Sequence, residues 1–274
     1  MSYVKRIAPL AAAALFVYCL LISEQLAESS RLYLELCGRQ VVPSLFVFSV
    51  LGGLVSQGSG INLLCKILPR WGTETAVGAL GLCGGVPLGS VTALKLYRDG
   101  DISKRQAEYL CTFSCTPSLS FIVSFAGGVL GGSSGVILAI LTVAAEVVTA
   151  LVFKPIMLPK GERKLVTNGS SASKPFSAVL ADSALSAVII CGCVVFFGSM
   201  ATLLPGSLGG FLEISTGIHA CGSLAEAATL LGFSGLSILL QTAAVCEGEI
   251  NLFPCFAAKV FQAIFMGGVA FFVD

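Results

Sequence analysis

Asp99-Gly100-Asp101-Ile102-Ser103 follows an apolar, glycine-broken stretch and precedes an apolar helix, and its pattern returns as Glu247-Gly248-Glu249-Ile250-Asn251. The two central glycines are separated by 148 residues (248 minus 100), and at the same offset Gly84 matches Gly232. Secondary transporters are commonly built from duplicated units with interrupted apolar helices. The two copies therefore predict an internal repeat.

The composition is that of an integral membrane protein. Hydrophobic residues make up 55% of the 274 residues and charged residues only 11%, whereas a soluble domain carries about 25% charged residues. Apolar stretches of roughly 20 residues, long enough to span a bilayer as helices, recur along the chain. The net charge of +1, without a clustered basic and aromatic surface, predicts no nucleic-acid partner. Membrane lipid is the expected surrounding.

The first apolar run, Ile7–Ile22, follows Lys5 and Arg6. This arrangement also fits a signal peptide, but no clear small-x-small cleavage motif ends the run. We therefore predict an uncleaved N-terminal transmembrane helix within residues 1–30.

Enzymatic and metal-binding patterns are missing from the sequence. The eleven cysteines lie mostly in apolar segments, where thiols behave as small hydrophobes, and Cys191-Gly-Cys193 is too closely spaced for the usual metal pair. The single histidine, His219, has no second ligand beside it, and there is no Walker A motif or Ser-His-Asp set. We predict no enzyme, no metal and no cofactor.

The positions of the lysines and arginines predict which loops are cytoplasmic. Thirteen of the sixteen cations lie in segments that the positive-inside rule places in the cytoplasm. Arg31 and Arg39 fall in a loop placed outside, and Lys259 falls within a span. The cytoplasmic cations are Lys5, Arg6, Lys66, Arg70, Lys95, Arg98, Lys104, Arg105, Lys154, Lys160, Arg163, Lys164 and Lys174.

This assignment predicts a re-entrant hairpin. Segments 60–74 and 95–105 are both cytoplasmic, so the apolar stretch Thr75–Tyr97 between them cannot cross the membrane once. It dips in and out, with its tip at Gly84, Gly85 and Pro87, where glycine and proline break the helix. One kinked span with a misassigned loop is the alternative.

The second half is predicted to mirror the first. Ala227–Val245 forms the second hairpin, with Gly232 and Gly235 at its tip, and Glu247–Glu249 lies in an outer loop because it carries acids and no cation. The predicted fold is about six transmembrane helices plus two re-entrant helical hairpins in an inverted repeat, with both termini cytoplasmic. The predicted units are an N-terminal helix (1–30), repeat 1 (35–130), a connecting helix and cytoplasmic linker (131–176), and repeat 2 (177–274).

Short motifs are spread over roughly residues 35–274. In the first half these are Gly84-Gly-Val-Pro-Leu-Gly89, Leu96-Tyr-Arg-Asp-Gly100, Ile102-Ser-Lys with Glu108, and Cys115-Thr-Pro-Ser118. In the second half they are Gly210-Phe-Leu-Glu213-Ile-Ser-Thr-Gly217 and Gly232-Phe-Ser-Gly-Leu-Ser237. Together they resemble the nucleoside-recognition, or Gate, domain, and most closely the YlbJ-type sporulation integral membrane proteins. Gate domains also occur in concentrative nucleoside transporters and ferrous-iron permeases, so the resemblance implies a transport-like scaffold without naming a substrate.

One departure from this family concerns the break at Ser114-Cys115-Thr116-Pro117, where the family often has two asparagines. Hydroxyls offer fewer hydrogen bonds than amides, so the family's ligand does not transfer directly. The predicted substrate-binding residues are Glu213, Ser215, Thr216, Ser114, Thr116, Ser234 and Gln241.

Glu213 is the leading candidate because an acid at membrane depth is costly and usually functional. Ser215 and Thr216 supply oxygens beside it, as a cation or polar-solute site requires; an interfacial acid on the outer rim is the alternative. The hydroxyls around Pro117 either line a solute site or only satisfy the kink.

Other charged residues leave alternatives open. Lys259 pairs with Glu213 or Glu247, or its amine reaches the interface. Glu146 and Asp182 are lone acids in or near spans.

Two functions survive. The first is a sporulation-type bacterial cell-membrane permease for a small polar solute or ion. The alternative is a non-transporting membrane scaffold or assembly factor of spore envelope maturation. A coupling cation and a homo-oligomer stay open as partners.

Overall fold

The computed structural model describes residues 2–56, 60, 61, 63, 72–158 and 174–273. The predictions for Lys66, Arg70 and most of the polar linker concern residues outside these ranges. The described residues form helices and turns without a β-strand. The helices are α1 (Ser2–Leu21), α2 (Ser23–Leu36), α3 (Val42–Val55), α4 (Gly72–Gly84), α5 (Leu88–Arg98), α6 (Lys104–Ser114), α7 (residues 119–130), α8 (Ser134–Met157), α9 (Phe176–Ala201), α10 (Ile214–Ala220), α11 (Leu224–Phe233), α12 (Gly235–Cys246) and α13 (Phe253–Phe271).

Three irregular helical segments complete the described chain. A π-helical turn, Cys37–Val41, joins α2 to α3, and a second, Ile122–Ala126, lies within α7. A 3₁₀ helix, Gly206–Phe211, precedes α10.

Five helical stretches of the described chain are long and apolar enough to cross a membrane, and a bent pair makes a sixth. This confirms an all-helical protein compatible with several membrane spans. The bent pair joins Ala12–Leu21 to Ser23–Val41 at 94°. The five are Lys104–Leu130, Ser134–Met157, Phe176–Ala201, Leu224–Cys246 and Phe253–Phe271.

Polar contacts gather several helix ends at one end of the molecule, here called the cationic end. Lys154 of α8 bonds Glu74 of α4 at 2.7 Å, and Lys95 of α5 donates to the Ser56 carbonyl, just after α3, at 3.1 Å. Since α4 starts and α5 finishes at this end, the two helices form a hairpin. With 13 and 11 residues, each is shorter than the roughly 20 residues that a span needs.

The two copies of the repeated pattern lie side by side at the cationic end. Arg98 contacts Glu249 at 2.5 Å and Glu247 at 3.2 Å, and the Asn251 amide donates to Glu108 at 3.2 Å. The prediction that Glu247–Glu249 lies across the membrane from residues 95–105 is therefore wrong. Copies that share one end and run in the same direction cannot form an inverted pair.

Helix α13 leaves the cationic end. Its 19 residues rise about 28 Å at 1.5 Å per residue, so Phe271 lies at the opposite end of the molecule. Helix α13 therefore carries the chain away from the cations, whereas the sequence predicted both termini on their side of the membrane.

The second hairpin predicted at 227–245 is also corrected. Leu224–Cys246 forms one interrupted helix of 23 residues, in which only Ser234 (φ 68°) and Gly235 (φ 77°) leave helical geometry. Helix α11 packs antiparallel to α13, with Gly232 against the Gln262 carbonyl and Gly267 against Thr229. Gly232 is therefore a packing residue and not a hairpin tip.

The chain of the second half folds back elsewhere, in a segment here called the 206–220 hairpin. The 3₁₀ helix packs on α10 so closely that a Cβ on Gly217 would lie 2.5 Å from the Gly210 Cα. At its open end the Ser207 hydroxyl bonds the Glu226 carboxylate at the start of α11. Because α11 starts at the end opposite to the cationic end, the open end of the 206–220 hairpin lies there, and Glu213 at its tip is buried.

Candidate binding site between the helix breaks

The break between α6 and α7 lies in the protein interior. Pro117 cannot donate a backbone hydrogen bond, and the Ser118 hydroxyl begins α7 by accepting from the Phe121 amide at 3.2 Å. The first hairpin packs on this break, since a Cβ on Gly85 would lie 3.0 Å from the Ser118 nitrogen. Exposing polar side chains to lipid would cost free energy, which predicts that those of the break are buried. All four are buried: Thr112, Ser114, Thr116 and Ser118.

Glu213 lies at the tip of the 206–220 hairpin and is 3% exposed. Its Oε2 accepts from the Ser215 amide at 2.8 Å, the Thr216 amide at 3.2 Å and the Ser215 hydroxyl. The carboxylate thereby caps α10, which favours an acid at its start. Among the described residues no donor bonds Oε1. Oε2 holds the backbone, and the Ile214 amide also interacts with the carboxylate; Oε1 is the oxygen left for a ligand.

The tip is attached to the second helix break. The Ser237 amide of α12 donates to the Leu212 carbonyl at 2.9 Å. A Cβ on Gly235 would lie 3.3 Å from the same carbonyl oxygen. Glycine at φ 77° gives the close approach and the left-handed backbone at no steric cost.

A cavity of about 50 Å³ lies where these elements meet. The first hairpin contributes Val86 at its tip, and α12 contributes Gln241, which is 3% exposed. The Gln241 amide donates to the Ser237 hydroxyl at 3.0 Å, and no donor bonds its carbonyl in the described structure. The polar residues lining the cavity are Ser118, Glu213, Ser215 and Gln241.

Glu213 makes no ion pair within the described residues, whose salt bridges all involve other acids. Removing a carboxylate from water costs several kcal/mol unless a cation or a proton compensates it. Carboxylate, hydroxyl and amide oxygens are ligands for hard cations. The cavity can thus hold a cation, a proton or water.

The predicted site residues separate into two groups. Glu213, Ser215 and Gln241 line the cavity. The remaining hydroxyls have partners elsewhere: Ser114 bonds the Leu110 carbonyl at 2.9 Å, Ser234 the Leu231 carbonyl at 2.9 Å, Thr116 the Glu146 carboxylate at 2.5 Å, and Thr216 the Tyr33 hydroxyl.

The structure shows the partners of the charged residues that the sequence left undecided. Lys259 is fully buried and donates to Gln262 at 2.8 Å, so neither predicted acid pairs with it and its amine does not reach the surface. Asp182 is exposed and pairs with Lys174 at 2.6 Å. Glu146 is buried.

Sequence reasoning missed two residues that hold the site. Tyr33 of α2 is buried and anchors Thr216 of the 206–220 hairpin, although 183 residues separate them. Ser118 was among the hydroxyls for which a solute site or a satisfied kink stayed open, and it was not named as a substrate-binding residue. No local pattern indicates either contact, because both depend on tertiary packing.

Comparisons with protein-family models, curated proteins and solved structures found no match. The resemblance to the Gate domain therefore stays a prediction from the motifs.

Proposed function

We propose that the protein is a permease-type protein of the bacterial cell membrane that binds a small cation beside Glu213. The observation that carries this proposal is the meeting of two helix breaks and two hairpin tips around a buried acid with an unused oxygen. Transporters place substrate and ion sites where interrupted helices converge.

The size of the cavity supports a small occupant. Small-molecule pockets measure about 300–1,000 Å³, whereas this cavity measures about 50 Å³. It has room for an ion with one or two waters, and a larger solute enters only after the hairpins separate.

We further infer an inverted repeat in a register different from the predicted one. The α4–α5 hairpin precedes the broken helix α6–α7, and the 206–220 hairpin precedes the broken helix α11–α12. The serine caps support this pairing, since Ser103 receives the Gln106 amide at 3.2 Å and Ser223 the Glu226 amide at 3.1 Å. With the cationic end in the cytoplasm, the C-terminus lies outside.

Glu213→Gln tests the cation site, because it keeps the shape and removes the charge. The measurement is thermal unfolding of the purified protein in NaCl, LiCl or KCl against choline chloride at equal ionic strength. We expect one alkali cation to stabilise the wild type, by about 2.7 kcal/mol at a hundred times Kd, and Glu213→Gln to lose this effect.

Asp182→Asn is the matched control because it removes an exposed acid and should keep the wild-type response. Equal cation stabilisation of wild type and Glu213→Gln would contradict the site. Flux of the same cation into proteoliposomes then separates transport from binding.

The non-transporting scaffold remains the second candidate, favoured by an apolar groove of about 1,090 Å³ between α1, α2 and α9. A variant that fills this groove and impairs sporulation, while Glu213→Gln sporulates like the wild type, would favour the scaffold. Ala187→Phe fills it.

A further inference from the structure

Two buried side chains of opposite charge lie between α8 and α13, apart from the Glu213 cavity. Lys259 is 0% exposed and Glu146 is 4% exposed. No ion pair within 4 Å joins them in the described structure. Each has one hydrogen-bond partner there: Lys259 donates to Gln262 at 2.8 Å, and Glu146 accepts from Thr116 at 2.5 Å.

Side chains bridge the two helices beside this pair. The Gln262 amide donates to the Thr149 hydroxyl at 3.2 Å, and Thr149 donates to the Ala145 carbonyl at 2.6 Å. Thr149 follows Glu146 by three residues, and Gln262 follows Lys259 by three, so each polar pair occupies one face of its helix. The two charges therefore lie beside each other and interact through space, although no hydrogen bond in the described structure joins Glu146 to the chain from Lys259 to Thr149.

Glu146 is attached to the first helix break, because its hydrogen-bond donor Thr116 belongs to that break. A change of charge on Glu146 therefore acts on a hydrogen bond that holds the broken segment. The titratable groups that face Glu146 are Lys259 and Cys115, and Cys255 also faces Lys259.

We propose that Glu146 and Lys259 form a proton-binding site at the first helix break. An ionised carboxylate with one hydrogen bond and no contacting cation is costly in a protein interior. Taking up one proton from water converts the ammonium–carboxylate pair to ammonium and carboxylic acid and raises the net charge by one. Releasing that proton restores the pair, while the Lys259 ammonium keeps a positive charge inside the protein and disfavours a metal cation there.

With this site, the proton is the candidate coupling ion for transport. That use rests on the proposed permease function, whereas proton binding itself does not. The cation-stabilisation experiment on Glu213 and the proton experiment on Glu146 can therefore fail independently.

Infrared difference spectroscopy of the purified protein tests the proposal, because a carboxylic acid C=O stretch is separate from carboxylate bands. Titration from acidic to alkaline buffer removes carboxylic acid bands from all titrating acids, and the wild-type difference spectrum should contain one such band that Glu146→Gln lacks. Asp182→Asn, which removes an exposed acid, is the control and should retain that band. A wild-type difference spectrum in Glu146→Gln would overturn the proposal.

Two further variants keep the test decisive if Glu146→Gln fails to fold. Thr116→Val keeps both charges and removes the donor to Glu146, so the same band should shift in frequency. Lys259→Gln removes the facing cation, so the titration midpoint should rise by at least about one pH unit, a tenfold change in proton affinity. An unshifted band and an unchanged midpoint would both contradict the site.

Discussion

The two oxygens of Glu213 have different tasks. Oε2 fixes the start of α10, whereas Oε1 is the oxygen left for a ligand in a cavity that Gln241 also lines. The position of this oxygen depends on the hairpin that carries it, and that hairpin depends on two glycines in contact, Gly210 and Gly217.

Gly217→Ala is expected to push the two limbs of the 206–220 hairpin apart. The added Cβ would lie 2.5 Å from the Gly210 Cα, a backbone atom that cannot rotate away. Overpacking of this kind costs about 1–3 kcal/mol, and we expect weaker cation stabilisation with it. Gly222→Ala is the control, because its Cβ meets nothing within 4 Å. Equal melting temperatures of the two variants would contradict the packing.

At the scale of the elements, the helix break between Gly84 and Leu88 could be predicted from the sequence, whereas the 206–220 hairpin could not. Lys95 and the other flanking cations, with Gly84 to Pro87 between apolar runs, leave the first hairpin few alternatives. Gly100 and Gly248 misled the prediction because each ends a helix at φ 77°. A glycine in this conformation is the common end of any helix, so its repetition carries no information on direction.

The candidate site was predictable to a similar degree. Glu213 stands out as an acid among apolar residues, a signal that needs no partner. The contact of Thr116 with Glu146 spans 30 residues and that of Tyr33 with Thr216 spans 183. Such contacts depend on how helices pack, and neither hydropathy nor spacing indicates them.

Arg98 connects the first hairpin to the turn between α12 and α13. Its guanidinium lowers the pKa of Glu249 below the ordinary 4.5. A lowered pKa in the folded state adds stability above pH 4.5, and this is lost as pH falls through the folded value. The melting temperature of Arg98→Ala should therefore fall less on acidification than that of the wild type. High salt should reduce this difference between the two proteins. Arg39→Ala, which removes only the exposed pair with Glu35, should keep the wild-type profile.

At the scale of the whole molecule, the account requires that two hairpins enter from opposite ends and meet at Glu213. The contact of Arg98 with Glu249 and the inward direction of the 206–220 hairpin carry this arrangement. The positive-inside rule then sets the cationic end in the cytoplasm. The permease function depends on this topology, because a site between hairpins from one side could not alternate its access.

Cysteine-accessibility labelling in intact cells tests this arrangement most directly, with single cysteines placed in a background without native cysteines. Asp101→Cys and Glu249→Cys should both be protected from an impermeant reagent until the membrane is opened, and Gly222→Cys should react at once. Labelling of Asp101→Cys and Glu249→Cys from opposite faces would contradict the account.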